Sequence, residues 1–177
     1  MLDSLITSRT RIKILLKFFL NTAATSYLRN LEEEFGESTN AIRVELNRLE
    51  EAGLLQSESV SNKKVYRANT KHPLFPEIHA IIRKYIGIDK IIDEVLSKLG
   101  QVKAVYLVGE LARGLNADEV KLLIIAKQID IAYLEHLVQK ASAMISRKIT
   151  YKLMTEEDAA KELSEYKDNL LIFSMDV

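Results

Sequence analysis

The stretch "VYLVGELARGLNADEVKLLIIAK", residues 105–127, decides the fold of the second half of the chain. It contains two apolar runs typical of strands, and the turn between them carries Gly109, Arg113 and Gly114. The run "LLIIA" is apolar at every position, which is typical of a central strand covered on both faces. The stretch therefore predicts a sheet with a polar turn at one end, where a small site could form.

Helical and strand patterns alternate around this stretch. The predicted elements are strand 103–108, strand 119–126, helix 131–147, strand 149–154, helix 156–166 and an apolar run over 170–175. Together with the front half described below, they indicate an α+β protein whose second domain is small and mixed α/β.

The front half shows three helical patterns followed by a hairpin. The predicted helices cover 8–21, the segment "YLRNLEEEF" that follows Ser26, and 38–53, where Ser38 or Thr39 can cap the helix. Next come "LLQSESV", "SNKK" and "VYRANT", which read as strand, polar turn and strand. Three helices and a β-hairpin in this order predict a winged helix-turn-helix.

The third helix has an apolar face and a polar face. With Ile42, Leu46 and Leu49 turned inward, short polar and basic side chains fall on the opposite face, as major-groove recognition requires. The predicted DNA-binding residues are Ser38, Thr39, Asn40, Arg43 and Asn47 on the helix and Lys63, Lys64 and Arg67 on the hairpin. The alternative is a charged face exposed to solvent, since Glu45, Glu50 and Glu51 would repel phosphate.

The segment 38–55 resembles the recognition helix of MarR- and ArsR-type bacterial regulators. The matching residues are Ser38, Thr39, Leu46, Leu49, Glu50, Glu51, Ala52, Gly53 and Leu54. The resemblance implies a transcriptional regulator that binds double-stranded DNA as a dimer.

The opening stretch resembles the minimal nucleotidyltransferases of the polymerase-beta type. It keeps Gly109, Ala112, Arg113 and Gly114 and the apolar strand after them. The family's serine is replaced by Glu110, its first aspartate by Glu119 and its second by Lys121. The later strand, "ITYKLMT", supplies no acid. The resemblance implies a nucleotidyltransferase-like fold without its metal carboxylates.

Charge explains why these replacements matter. Residues 119 and 121 of a strand project to the same face, so Lys121 places an ammonium where Mg²⁺ would bind. We expect no catalytic residue, metal or cofactor, and hence a silent domain that is not an enzyme. Gly109, Arg113 and Lys121 are candidates for holding an anion such as a nucleotide phosphate, and a surface ion pair is the alternative for Arg113.

Three segments divide the chain in this interpretation. They are a winged helix over 1–72, a helical linker over 73–100 and a nucleotidyltransferase-like domain over 101–177. The apolar stripe from Ile78 to Leu99 is longer than a linker needs, so part of it could pack against a second subunit. Folding back onto its own domain would explain the stripe equally well.

The composition limits the kinds of partner and the cellular compartment that we expect for the chain. Residues 1–86 hold 13 basic and 10 acidic side chains and residues 87–177 hold 12 and 15, which gives halves of +3 and −3. The sign suits a front half that faces nucleic acid. The absence of cysteine excludes disulfides and thiolate metal sites. With no apolar run of about 20 residues and no signal peptide, we expect a cytoplasmic protein that does not enter the membrane.

Three functions compete on this basis. The leading hypothesis is a DNA-binding transcriptional regulator whose silent second domain serves dimerisation or binds a protein or small molecule. The first alternative is an active nucleotidyltransferase that modifies a partner. The second is an antitoxin-like module that only binds protein.

Overall fold

A computed structural model describes residues 2–100, 102–166 and 168–175. The chain forms two compact units: the first runs to Tyr85 and includes Gly114–Asn116, and the second comprises Ile86–Arg113 and the residues from Ala117 onward. The predicted domain boundaries at 72 and 100 stay predictions. No helix in these described ranges has the length and apolar character needed to cross a membrane.

The first unit consists of helices and a small antiparallel sheet. Its elements are α1 (Leu2–Leu5), α2 (Arg9–Leu15) continued by a π-helical turn (Leu16–Leu20), β1 (Ser26–Tyr27), α3 (Leu28–Phe35), α4 (Thr39–Glu51), β2 (Leu55–Val60), β3 (Lys63–Ala68) and α5 (Phe75–Ile86). The strand order is β1-β3-β2. The β2–β3 turn has Ser61 and Asn62 at φ 47° and 64°, the left-handed conformation that tight hairpin turns need.

Helix α4 lies as its amphipathic pattern predicts. Its cap is Ser38, whose side chain accepts a hydrogen bond from the backbone N–H of Ala41. Ile42, Leu46 and Leu49 are buried in the core of the unit. The helix therefore presents its polar face outward, away from that core.

The second unit contains a four-stranded mixed sheet. Its elements are α6 (Ile88–Ile91), a π-helical turn (Ile92–Leu96), α7 (Ser97–Leu99), β4 (Val102–Val108), β5 (Glu119–Ala126), α8 (Ile131–Ile145), β6 (Lys148–Met154), α9 (Glu156–Glu165) and β7 (Asn169–Ser174). The strand order is β6-β5-β4-β7, in which only β5 and β6 are parallel. Helix α8 makes the crossover between these two parallel strands.

Both faces of this sheet are covered. Helix α8 packs on β6, on α6 and on the π-helical turn that follows α6. On the other face, Ala159 of α9 joins Val108, Leu123, Ile125 and Met154 in one apolar cluster. The prediction that "LLIIA" forms a central covered strand is confirmed, since residues 122–125 are buried.

The stripe from Ile78 to Leu99 is largely internal. Ile82 is buried in the first unit, and Ile88, Ile91 and Val95 are buried in the second. These side chains are therefore not available to a second subunit. The chain is an α+β protein with two sheets, and its second unit is consistent with a nucleotidyltransferase-like fold.

Candidate functional site

An open groove in the first unit gathers five of the residues predicted to bind DNA. Its walls are α3, the polar face of α4, and β3. Thr39, Arg43, Asn47, Lys63 and Lys64 line it. Its volume is about 810 Å³.

The other predicted residues have different positions. Ser38 serves as the cap of α4, and neither Asn40 nor Arg67 lines the groove although both are exposed. Glu45 is buried rather than part of an acidic outer face, and it pairs with Arg11 and Arg48. Glu50 is half-buried and pairs with Lys64.

Two lysines of the groove are held by aromatic rings. Lys63 Nζ lies 4.5 Å from the ring centroid of Tyr27, and Lys64 Nζ lies 5.2 Å from that of Tyr66. Lys64 Nζ also lies 2.6 Å from Glu50 Oε2. That hydrogen bond raises the pKa of Lys64 and, with one from Ser57, lowers the pKa of Glu50. The fold therefore orients both lysines.

The second candidate site lies at the end of β4 and β5. Gly109 has φ 76°, and a Cβ added there would lie 3.3 Å from Cδ of Lys121, so the lysine stem packs closely over the glycine. Lys121 Nζ lies 3.4 Å from Glu119 Oε2, and Thr150 Oγ1 donates a hydrogen bond to Glu119 Oε1 at 3.1 Å. The hydrogen bond from Thr150 lowers the pKa of Glu119, with Lys121 adding to the effect.

Arg113 lies on the turn that follows Gly109, and its backbone N–H donates a hydrogen bond to the Gly109 carbonyl. Its Nε lies 3.9 Å from Asp168 Oδ2, and its side chain is 48% exposed. This long, exposed ion pair is the alternative that the sequence left open for Arg113. A contact of this kind contributes little to stability, so it leaves the guanidinium accessible to another anion.

The carboxylates at this end of the sheet do not fit a metal ion. Within the described ranges, no three His, Cys, Asp or Glu residues are grouped so that they could hold one. The Lys121 ammonium occupies the position beside Glu119 that a cation would take. At about 5 Å and an effective dielectric of about 20, its repulsion of Mg²⁺ amounts to several kcal/mol.

No family model and no curated protein matches the chain. Solved structures do. The structure of the tri-AMPylated Shewanella oneidensis HEPN toxin in complex with the MNT antitoxin matches at 15% identity over 50% of this chain and 71% of that chain, with a TM-score of 0.37. A toxin-antitoxin structure with AMP-PNP matches at 16% identity over 50% and 73%, with a TM-score of 0.40.

A further similar structure comes from Sulfolobus solfataricus and is provisionally described as a nucleotidyltransferase. It is 22% identical over 55% of this chain and 86% of that chain, with a TM-score of 0.38. Values of this size do not transfer an activity to the chain.

These matches overturn the identification as a MarR- or ArsR-like transcriptional regulator. The similar structures are a toxin-antitoxin pair and a nucleotidyltransferase, so the prediction of a DNA-binding regulator is wrong. The physical reason is that a helix order and an "LEEAGL" ending specify how a segment packs, not what its polar face binds. Several charges on that face are also already paired, as with Lys64 and Glu50.

The prediction that the chain is not an enzyme is withdrawn, since one of the similar structures is described as a nucleotidyltransferase. Missing acids in a short motif show which metal ligands are absent, but they do not show which chemistry the remaining side chains support. Two residues of this site were not predicted from the sequence. Thr150 contacts Glu119, and Asp168 contacts Arg113. Thr150 could have been found from the parallel pairing of β5 with β6, which aligns it with Lys121.

Proposed function

We propose that the chain is a nucleotidyltransferase-type protein that works with a protein partner, and that it binds a nucleotide phosphate at the Gly109 turn. The observation that carries this proposal is the position of Lys121, which is 54% exposed beside the backbone of Gly109. The glycine leaves room for the lysine stem to pack on the turn, and the ammonium at its end supplies the charge opposite to that of a phosphate.

The contacts of Lys121 allow it to change partners. Glu119 keeps the hydrogen bond from Thr150 when Lys121 turns to a phosphate, so its carboxylate is not left without a donor. The exposed guanidinium of Arg113 offers a second, bidentate donor to the same anion. A magnesium ion does not fit among these residues, and no step of the proposal passes through one.

Replacing Lys121 tests the phosphate site. In a titration with a fluorescent ATP analogue, we expect Lys121→Ala to weaken binding about tenfold, since a charged hydrogen bond contributes about 1.5 kcal/mol or more. Lys161→Ala, which removes an exposed lysine from α9, is the matched control and should bind as the unaltered chain does. No binding at millimolar analogue, or equal losses in both variants, would contradict the site.

Transfer is measured separately with α-labelled ATP and extracts of cells that express the chain together with the products of adjacent genes. Label that appears on a protein in the presence of the unaltered chain, and is lost with Glu119→Gln, would identify the activity. If the chain binds the ATP analogue but transfers no label, it is a nucleotide-binding protein that acts on its partner without catalysis.

A second candidate function, an antitoxin-like module that only binds protein, is favoured by strand β7. This strand lies at one edge of the sheet, and no residue from Asn169 to Met175 is charged. Leu171 and Met175 are each 49% exposed. The opposite edge strand, β6, carries Lys148 and Lys152, which discourage pairing with another strand. Edge strands without such charges accept an added strand.

A charge on β7 tests this second function. We expect Leu171→Lys to reduce the amount of co-purifying protein about tenfold, because a lysine would have to be buried in the paired edge. Ile131→Lys, at an exposed position of α8, should retain it. Equal retention by both variants would rule out β7 as the binding edge.

A further inference from the structure

We infer that the groove between α3, α4 and β3 binds an acidic, extended segment of a protein partner. The inference rests on the protein partner of the proposed function, and it assigns that partner a surface on the first unit. The groove is open and concave, with a volume of about 810 Å³, in the range that holds several side chains of a bound segment.

One wall of the groove is cationic and already ordered. Arg43 is exposed on α4, and Lys63 and Lys64 extend from β3. The rings of Tyr27 and Tyr66 hold the two lysines in place. Because the rings already restrict these lysines, the side chains lose little further entropy when they bind a carboxylate. Binding is therefore more favourable than it would be to lysines without such contacts.

The opposite wall carries acids, and this feature favours a peptide over a duplex. Glu32 and Glu33 of α3 line the same groove, as does Arg29, whose Nε lies 3.9 Å from Glu33 Oε1. A DNA duplex presents one phosphate charge about every 1.7 Å, so phosphates would come close to these carboxylates as well as to the cations. A peptide can place its carboxylates at Arg43 and Lys63 and its backbone N–H groups toward Glu32 and Glu33.

The shape of the groove supports the same choice. A helix that reads DNA has to project into the major groove. Here the polar face of α4 forms the wall of a concavity, and Asn47 and Thr39 lie inside it. These side chains can form hydrogen bonds with the main chain of an extended segment.

The test uses the full chain and a fluorescein-labelled decapeptide of alternating glutamate and glycine, followed by fluorescence anisotropy. We expect binding that weakens as salt is raised, and a loss of about tenfold or more in the double variant Arg43→Glu/Lys63→Glu. Arg67→Glu/Lys71→Glu is the matched control. It makes the same change in net charge at two exposed positions of the first unit outside the groove, and it should bind normally.

Three outcomes would overturn the inference: no peptide binding by the unaltered chain, equal losses in the two double variants, or tighter binding of a short DNA duplex than of the peptide. Binding of the ATP analogue is measured on the same proteins and should be equal in both double variants. Failure at the groove is thereby separated from failure of the nucleotide site at Lys121.

Discussion

Gly87→Ala is expected to destabilise the second unit by about 3 kcal/mol, because two penalties add at this position. Gly87 has φ 94°, a left-handed conformation that costs an L-residue roughly 1–2 kcal/mol. A Cβ there would also lie 2.5 Å from Cγ2 and 2.8 Å from Cβ of Ile145, so α8 would have to shift. Overpacking of this kind costs roughly 1–3 kcal/mol more.

Gly100→Ala separates the two penalties. Gly100 has φ 67°, but a Cβ added there meets nothing within 4 Å. We therefore expect only the backbone cost, about 1 kcal/mol. Hydrogen exchange followed by mass spectrometry should show loss of protection in α8 for Gly87→Ala and little change in α4, which belongs to the first unit. Equal effects of the two alanines would contradict the clash with Ile145.

Arg11→Met is expected to destabilise the first unit by about 2–3 kcal/mol. The side chain of Glu45 is only 7% exposed, and Arg11 Nε lies 2.7 Å from its Oε2. Removing one partner of a buried pair leaves an uncompensated charge, and the loss is reduced here because Arg11 is 35% exposed. Arg48 cannot replace it, since its Nη1 lies 3.4 Å from Glu45 Oε1 and its side chain is 60% exposed.

The control for this prediction is Arg48→Met, which should cost less than about 1 kcal/mol. The double variant Arg11→Met/Glu45→Met should recover most of the stability, because it leaves no buried charge unpaired. Urea unfolding of the four proteins measures the differences. A double variant no more stable than Arg11→Met would show that the pair matters for packing rather than charge.

The pH dependence of the free energy of unfolding should change sign when Arg11 is replaced by methionine. Burial alone would raise the pKa of Glu45, but the hydrogen bonds from Arg11 and Ser8 and the charges of Arg11 and Arg48 outweigh it and lower the pKa below 4.5. The pair therefore stabilises the unaltered chain above pH 4.5, and this contribution is lost as the pH falls through the folded-state pKa. In Arg11→Met, burial raises the pKa, so that variant should gain stability as the pH falls toward 4.5.

The secondary structure follows closely from the sequence, and the exceptions are informative. The strand predicted over 119–126 is found at the same bounds, and α4 buries the three residues predicted for its apolar face. The helix predicted over 8–21 changes to a π-helical turn at Leu16–Leu20. Apolar periodicity places a helix but does not distinguish these two hydrogen-bond patterns.

The charged residues were less well predicted than the apolar ones. The alternative interpretation placed Glu45 on a solvent-facing charged surface, yet it is buried against Arg11, which is 34 residues away in the chain. Thr150 was not singled out, although it holds Glu119. A charged or hydroxyl side chain is stable in either environment if it finds a partner, so its position depends on which distant residue the fold brings to it.

By itself, the sequence determined the helices, the strands and the apolar faces, because local periodicity and capping act over a few residues. Only the tertiary structure decided which distant charges meet: Lys64 with Glu50, and Arg11 with Glu45. The pairing of a charge depends on distances across the fold, which no local pattern of residues contains. The identification as a DNA-binding regulator was wrong because a helix order and an apolar face do not specify which ligand the opposite polar face binds.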